Sequence, residues 1–357
     1  MNDNPDIRVL VVDDSAFMRT ALTRMIQSEA EFQVVGTASS GSDALTKVPT
    51  LDPDVVTLDV QMPGMDGLET LRHIMHRFPR PVIMVSAVTE KDAEITFNAL
   101  SAGAFDYVPK QMSSTSLEIT HIRGDLISKI RAASQSTGAC SRKPPGRKPP
   151  RSAKSPTQAF RTVAPAIVAI ATSTGGPKAL EQILPCFPAD FSLPILIVQH
   201  MPAGFTTTFA RRLRSLCKVD VREAVHGELV RPAVAYICPA GLHMRVQYTG
   251  SQAQISLSTD PADAIHIPSA DILMESVANV YRNRALGVIM TGMGCDGAEG
   301  IKDIYRAGGL TLGQDENTCT VYSMPRACAE RGVLTQIVPL LEIPAEILHA
   351  TPQRKPA

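Results

Sequence analysis

A chain of 357 residues, 44% of them hydrophobic, is long enough for two domains that each bury a core. Lys+Arg and Asp+Glu both number 35, and this neutrality argues against a nucleic-acid or membrane-surface role for the whole protein. No apolar run reaches the roughly 18–20 residues of a membrane span, Met1 to Asp6 is polar rather than signal-like, and seven cysteines without a Cys-x-x-Cys fit reduced thiols, so a cytoplasmic protein without membrane insertion is expected.

Residues 1–133 are expected to form the first domain. Strand-length apolar runs recur at Ile7–Val12, Phe32–Ala38, Asp54–Leu58, Pro81–Val85 and Ala104–Val108, with helical spacing between them and a last helix from Ser114 to Arg131. Five such repeats predict an α/β fold with a doubly wound, flavodoxin-like parallel sheet, whose functional groups gather at the carboxyl ends of the strands. Asp13 and Asp14 follow the first strand, Asp59 the third, Ser86 the fourth, and the fifth runs into Lys110. Three carboxylates at one edge repel unless a cation holds them, and oxygen ligands with open positions suit Mg²⁺. A carboxylate there can attack a phosphoryl donor while the metal and a lysine neutralise charge. Asp59 is the candidate nucleophile, Asp13 and Asp14 the metal ligands, Ser86 a hydrogen-bond donor to phosphoryl oxygens and Lys110 the cation. Taken singly, each of these is more often a helix cap or a solvated charge; the five matching strand ends carry the signal.

Val11-Val-Asp-Asp-Ser15, Leu58-Asp-Val-Gln-Met-Pro-Gly-Met-Asp-Gly67 and Gly103-Ala-Phe-Asp-Tyr-Val-Pro-Lys110 closely resemble the motifs of response-regulator receivers. The resemblance implies Mg²⁺-dependent phosphorylation of Asp59 by a histidine-kinase partner, with Ser86 and Tyr107 shifting when the phosphoryl group arrives. One departure is Gln111 after Lys110, where the family usually has proline.

Residues 134–165 read as a linker. No acidic residue lies between Asp125 and Glu181, while ten Lys and Arg do, and Ser141 to Pro156 is basic and proline-rich. Such a segment cannot bury enough to order itself, and a mobile tether is expected. Without interleaved aromatics it is preferred as a plain linker over a nucleic-acid or acidic-protein contact.

Residues 166–350 are expected to form a second α/β domain. Strands are predicted at Ala166–Ala171, Pro194–Val198, Val234–Cys238 and Leu286–Met290. Helices are predicted at Lys178–Leu184, Phe205–Leu216, Ser269–Asn283 and Ala298–Ala307, and a hairpin turns at Tyr248-Thr-Gly-Ser251. Three strand ends again carry chemistry: Ser173 before Gly175-Gly176-Pro177, His200 in Gln199-His-Met-Pro202, and Asp296 in Thr291-Gly-Met-Gly-Cys-Asp-Gly297. A serine hydroxyl is a poor nucleophile without a base, and the base needs a partner that fixes its tautomer. Ser173, His200 and Asp296 supply those roles in order, and glycines near Asp296 let backbone N–H groups face an oxyanion. Alone, Ser173 would be a turn or phosphate-loop residue, His200 a loop or core histidine and Asp296 a helix cap. His226, His243 and His266 compete as bases, His266 most strongly. The eight histidines show no metallohydrolase spacing, so no cofactor is expected in this domain.

Ala171-Thr-Ser-Thr-Gly-Gly-Pro177, Val198-Gln-His-Met-Pro-Ala-Gly-Phe205, His266-Ile-Pro-Ser-Ala-Asp271, Thr291 to Gly297 and Gln314-Asp-Glu…Met324-Pro-Arg326 resemble the catalytic domain of CheB-type protein-glutamate methylesterases. The resemblance implies hydrolysis of γ-glutamyl methyl esters on chemoreceptor helices, releasing methanol, and deamidation of receptor glutamines. It makes Ser173 the nucleophile, His200 the base and Asp296 its partner, sets Thr174 and the Met293 N–H near the oxyanion, and has His266 border the cleft. It further implies that the receiver covers the Ser173 edge until Asp59 is phosphorylated. Two other classes of function remain: a phosphorylation-dependent docking protein with a vestigial triad, which the intact Ser, His and Asp argue against, and a DNA-binding regulator, which lacks a helix-turn-helix module.

Overall fold

Segments such as Val9–Val12 and Ile167–Thr172 carry no exposed face at all, so they can form only strands covered on both sides, which is the signature of parallel sheets flanked by helices. A computed structural model describes residues 7–87, 89–110, 116–140 and 163–351, with only the backbone described for 116–121 and 136–140. The chain divides into two compact units, Met1–Arg147 and Lys148–Ala357.

In the first unit the order is β1 (Ile7–Val12), α1 (Ala16–Gln27), β2 (Phe32–Ala38), α2 (Gly41–Leu51), β3 (Val55–Asp59), α3 (Gly67–Arg77), β4 (Val82–Ser86), α4 (Glu90–Ser101), β5 (Asp106–Pro109) and α5 (Ser116–Cys140). The five strands are parallel in the order β2-β1-β3-β4-β5. Ser15, Ser40, Asp66 and Thr89 each accept a backbone N–H three residues on, which starts α1, α2, α3 and α4 just past the strand ends. One face of the sheet packs Val9, Val11, Ile83 and Val85 on Leu22, Ile26, Leu126 and Ile130.

β3 and β4 end one residue later than their apolar runs predict. The ladder continues through Asp59 and Ser86, both buried, so the polar groups belong to the strands themselves. The last helix also runs past Arg131 to Cys140, into the segment read as linker, because no proline interrupts it before Pro144. Most of that linker, residues 141–162, lies outside the described residues, as does Gln111.

The second unit comprises β6 (Ile167–Thr172), α6 (Gly176–Ile183), β7 (Ile195–Gln199), α7 (Thr206–Leu216), β8 (Asp220–Glu223), β9 (Val234–Ile237), β10 (His243–Thr249), β11 (Gln252–Ser258), α8 (Ala270–Tyr281), β12 (Ala285–Ile289), α9 (Ala298–Arg306), β13 (Leu310–Gln314), α10 (Ser323–Glu330), β14 (Gln336–Val338) and α11 (Ile343–Ala350). Seven strands form one parallel sheet in the order β14-β13-β12-β6-β7-β9-β8. β10 and β11 form the expected antiparallel hairpin, a separate pair whose Met244, Val246 and Ile255 pack with Leu273 and Tyr236. β8, β13 and β14 have no counterpart in the apolar runs. β8 and β14 are short edge strands, and β13 (Leu-Thr-Leu-Gly-Gln) is broken by polar and small residues.

After β6 the chain builds the sheet outward on one side through β7, then returns to build β12, β13 and β14 on the other. The topological switch therefore lies between β6 and β12. In open parallel sheets the crevice beyond the carboxyl ends at such a switch is where ligands bind.

Candidate functional site

The switch point positions Ser173 and the loop after β12. Thr172 pairs with Gln199 across β6 and β7, so the next residues, Ser173 and His200, leave adjacent strands side by side. The Ser173 N–H donates to the Thr291 carbonyl at 3.0 Å, the His200 N–H donates to the Thr172 carbonyl at 3.1 Å, and Gln199 Nε2 donates to the carbonyls of both Ser173 (3.0 Å) and His200 (2.8 Å). Thr172 Oγ1 donates to the Thr291 carbonyl at 3.0 Å, Thr291 Oγ1 to the Thr174 carbonyl at 2.9 Å, and Gln314 Oε1 accepts the Thr291 N–H at 2.8 Å. Four buried polar residues at the ends of apolar strands thus lock the loops against one another.

His200 Nε2 lies 2.7 Å from Asp296 Oδ2. Asp296 Oδ2 also accepts the Ala270 N–H (2.7 Å), while Oδ1 accepts the Ser269 hydroxyl (2.9 Å) and the Asp271 N–H (3.1 Å). The carboxylate therefore occupies the N-terminus of α8, where free amide N–H groups favour negative charge. Burial alone would raise its pKa, but the His200 hydrogen bond and charge and the Ala270 and Asp271 N–H groups prevail and hold it well below the usual carboxylate range. An ionised carboxylate only accepts, so Nε2 bears the proton. In the neutral ring the lone pair then falls on Nδ1, which is buried and has no hydrogen-bond partner among the described residues.

The His266 ring stacks on His200, with centroids 4.4 Å apart and planes at 14°. The other rival histidines hold structure. His243 is buried, taking the Ser269 N–H on Nδ1 at 3.1 Å and leaving Nε2 to the Pro261 carbonyl at 3.1 Å; His226 Nδ1 accepts the Leu257 N–H at 3.1 Å. Thr174 is buried beside Ser173, and Met293 stands between Gly292 and Gly294. A Cβ on Gly292 would fall 2.9 Å from Ser173 Cβ and 2.1 Å from Met324 Sδ, so the loop runs hard against Ser173.

Sequence reasoning brought forward Ser173, His200, His266 and Asp296, and the fold gathers them at one edge. It missed Ser269, Asp271, Gln199, Thr291 and Gln314. For Gln199 and Thr291 the available signal was a polar residue closing an otherwise apolar run; Ser269, Asp271 and Gln314 gave none.

In the first unit, carboxylate oxygens of Asp13, Asp14 and Asp59 lie within 4.8 Å of one another. Lys110 Nζ is 2.9 Å from Asp13 Oδ2 and 2.6 Å from Asp59 Oδ2. Burial pushes the Asp59 carboxyl up to about 6, against the opposing pull of the Lys110 hydrogen bond and charge and with a further push from Asp13. Three carboxylates facing one ammonium leave negative charge uncompensated; with Asp13 and Asp59 buried and Asp14 exposed, the donor set fits a hard divalent cation open to solvent on one side. Ser86 Oγ donates to the Ala87 carbonyl (3.1 Å) and accepts from Thr96 Oγ1 (2.9 Å). Tyr107 is buried, and its carbonyl accepts from Lys129 Nζ at 2.6 Å.

A family model described as CheB methylesterase matches residues 168–347, and one for the response regulator receiver domain matches residues 9–121. A protein-glutamate methylesterase/protein-glutamine glutaminase of Nitratidesulfovibrio vulgaris is 45% identical over 362 positions, covering 96% of this chain and 99% of its own. A protein of the same name from Pyrococcus abyssi is 44% identical over 351 positions, covering 96% of this chain and 93% of its own. The crystal structure of the Thermotoga maritima CheB methylesterase catalytic domain covers 52% of this chain and 99% of its own, with 36% identity and a TM-score of 0.51.

Proposed function

The chain belongs to the CheB methylesterase family, and on that premise we propose that it is a phosphorylation-activated serine hydrolase that demethylates glutamate methyl esters, and deamidates glutamines, on chemoreceptors in the cytoplasm. The observation that carries this reading is the His200–Asp296 pair beside Ser173 at the switch point of the second sheet.

The Ser173 hydroxyl gives its proton to His200 Nδ1 as Oγ attacks the ester carbonyl carbon. Asp296, held ionised by His200 and by the amides of the α8 N-terminus, stabilises the imidazolium and keeps the remaining ring proton on Nε2. The Met293 N–H, with Thr174 beside it, receives the oxyanion. As the tetrahedral adduct collapses, the proton on Nδ1 passes to the departing oxygen, which leaves as methanol; a glutamine substrate loses ammonia instead. Water, deprotonated by the same nitrogen, then cleaves the acyl-serine to free glutamate and the serine hydroxyl. His266 borders the cleft through its stack on His200.

In the receiver, Asp59 is the phosphoacceptor for a histidine-kinase partner. Asp13, Asp14 and Asp59 would hold Mg²⁺, which when bound neutralises charge on the phosphoryl group. Lys110 adds positive charge from its place between Asp13 and Asp59, and Ser86 and Tyr107 respond to the new phosphoryl oxygens.

The test is methanol release from methylated chemoreceptor membranes, with and without a small acyl-phosphate donor. The expected result is a rate that rises with the donor and drops by about 10³-fold or more in Ser173→Ala. A Ser173→Ala protein that still releases methanol at the wild-type rate overturns the reading.

A further inference from the structure

Asp271 takes no part in the chemistry just derived, yet its carboxylate is tied into the same loops. It is the second residue of α8, and its Oδ1 accepts the Gly300 N–H at 2.8 Å, three residues into α9. Asp296, which immediately precedes the Gly297 cap of α9, accepts the N–H groups of Ala270 and Asp271 in the first turn of α8. Neither helix is capped by its own preceding side chain: Ser269 spends its hydroxyl on Asp296, and Gly297 has none to offer. Each helix start is closed by a carboxylate from the other. The two helices meet so closely that a Cβ on Gly300 would fall 2.6 Å from Met274 Cβ and 2.9 Å from the Asp271 carbonyl oxygen.

We propose that Asp271 is a positioning residue of the hydrolytic site, its carboxylate fixing the loop that carries Asp296 and Met293 by capping α9 while Asp296 caps α8 in return. The inference rests on the reading of Ser173, His200 and Asp296 as the hydrolytic triad. The orphan amides at a helix start need an acceptor, and among the described residues Asp271 Oδ1 is the one that takes the Gly300 N–H. Without it, the residues between β12 and α9 lose an anchor at the end nearest Asp296, and small displacements of a positioned base cost rate steeply.

The arrangement also has an electrostatic consequence. Asp271 faces Asp296 from α8, and the buried Cys328 thiol of α10 lies within reach of its charge; the Glu299 carboxylate is engaged by Lys302 and Arg331, and His200 and His266 stand on the other side of Asp296. Burial pushes the Asp271 carboxyl up to about 6, the Gly300 N–H pulls it down, and the Asp296 charge pushes it up again. Asp271→Asn keeps an oxygen for the Gly300 N–H and removes the charge; Asp271→Ala removes both cap and charge.

The experiment measures kcat and KM for methanol release by the full chain, using methylated chemoreceptor membranes, together with hydrogen exchange at the Ala270 amide. Asp271→Ala should lower kcat by about 10–100-fold with KM little changed, and the Ala270 amide, which Asp296 holds, should exchange faster. Asp271→Asn should recover most of the rate and restore the slow exchange, since its amide oxygen still accepts the Gly300 N–H. An Asp271→Ala protein with wild-type kcat and exchange, or an Asp271→Asn protein with kcat down more than tenfold and a fast-exchanging Ala270 amide, overturns the proposal. Should the alanine variant not fold, the asparagine variant alone decides. Ser173→Ala in the same series tests the triad reading separately, since Ala270 exchange judges the cross-cap whether or not methanol is released.

Discussion

His200 meets Asp296 through Nε2, 2.7 Å from Oδ2, so in the proposed mechanism the nitrogen left for proton transfer is Nδ1, the reverse of the usual serine-hydrolase assignment. His200 is bound at once to Thr172 by its N–H and to Gln199 by its carbonyl, and the Asp296 carboxylate that meets Nε2 sits at the N-terminus of α8. A single atom at Asp296 can test this. Asp296→Asn can turn an amide N–H₂ toward Nε2, which then must accept, and the ring proton moves to Nδ1, the wrong tautomer for a base. The rate should fall by about 10⁴-fold with the fold retained by circular dichroism. A loss of less than tenfold would mean that Asp296 does not control the tautomer.

Gly292 offers a second test, this time of packing. It follows Thr291 on the loop beside Ser173, and any Cβ would lie 2.1 Å from Met324 Sδ and 2.9 Å from Ser173 Cβ. The Met324 end can give way, but the Ser173 backbone, 3.0 Å off and tied to Thr291, cannot. Gly292→Ala should therefore destabilise the second unit by about 1–3 kcal/mol, and reduce kcat by more than that loss of folded protein accounts for. Calorimetry and methanol release on one preparation separate the two effects; a stable variant with full kcat would show that the loop has room to spare.

What could be read in the sequence follows from how local each signal is. The parallel strands were legible because residues such as Ile195–Val198 are apolar on both faces, and the acidic strand ends because Asp13, Asp14, Asp59 and Lys110 all fall just where such runs stop. Edge strands β8 and β14 were not, since Asp220-Val-Arg-Glu223 reads as a loop until β9 is beside it. The partners of Asp296 were hidden for a different reason. Nothing in Ser269-Ala270-Asp271 distinguishes an ordinary helix start from one capped by a residue 25 positions further on, because that relation exists only after α8 and α9 pack. The same holds for Gln314, at the end of a strand that the apolar runs do not show, whose side chain proves to hold the Thr291 N–H.

The receiver makes a prediction that involves metal. Asp59 and Lys110 form a 2.6 Å ion pair within a trio of carboxylates that fits a divalent cation. In the proposed role, the rise in methanol release on adding a small acyl phosphate should vanish in Asp59→Asn and when EDTA removes divalent cations, and it should return on adding Mg²⁺. Lys110→Met should also abolish the response while leaving the trio of carboxylates able to take up the cation, measured by titration calorimetry. A donor response that survives Asp59→Asn would move the switch elsewhere.

The two helix-capping carboxylates make opposite predictions for stability against pH. Asp296 is held well below the usual carboxylate range, so the stability it contributes is complete above about pH 4 and is lost as pH falls through its folded value. Asp271 is pushed up to about 6 from an ordinary 3.8, so the folded state binds its proton more tightly than the unfolded chain does. Its contribution is most favourable below about pH 4, declines as pH rises, and becomes a constant penalty above about pH 6. Asp271→Asn removes that penalty and should raise stability by about 1–2 kcal/mol at pH 7.5, a gain that fades to nothing near pH 4. Asp296→Asn should do the reverse, costing stability at pH 7.5 and progressively less as the medium is acidified below pH 4. Thermal denaturation of both variants between pH 3 and 8 provides the check. If Asp271→Asn melts below wild type above pH 6, the charge of Asp271 is serving the α9 cap more than it opposes Asp296, and the balance of forces between the two carboxylates is the other way round.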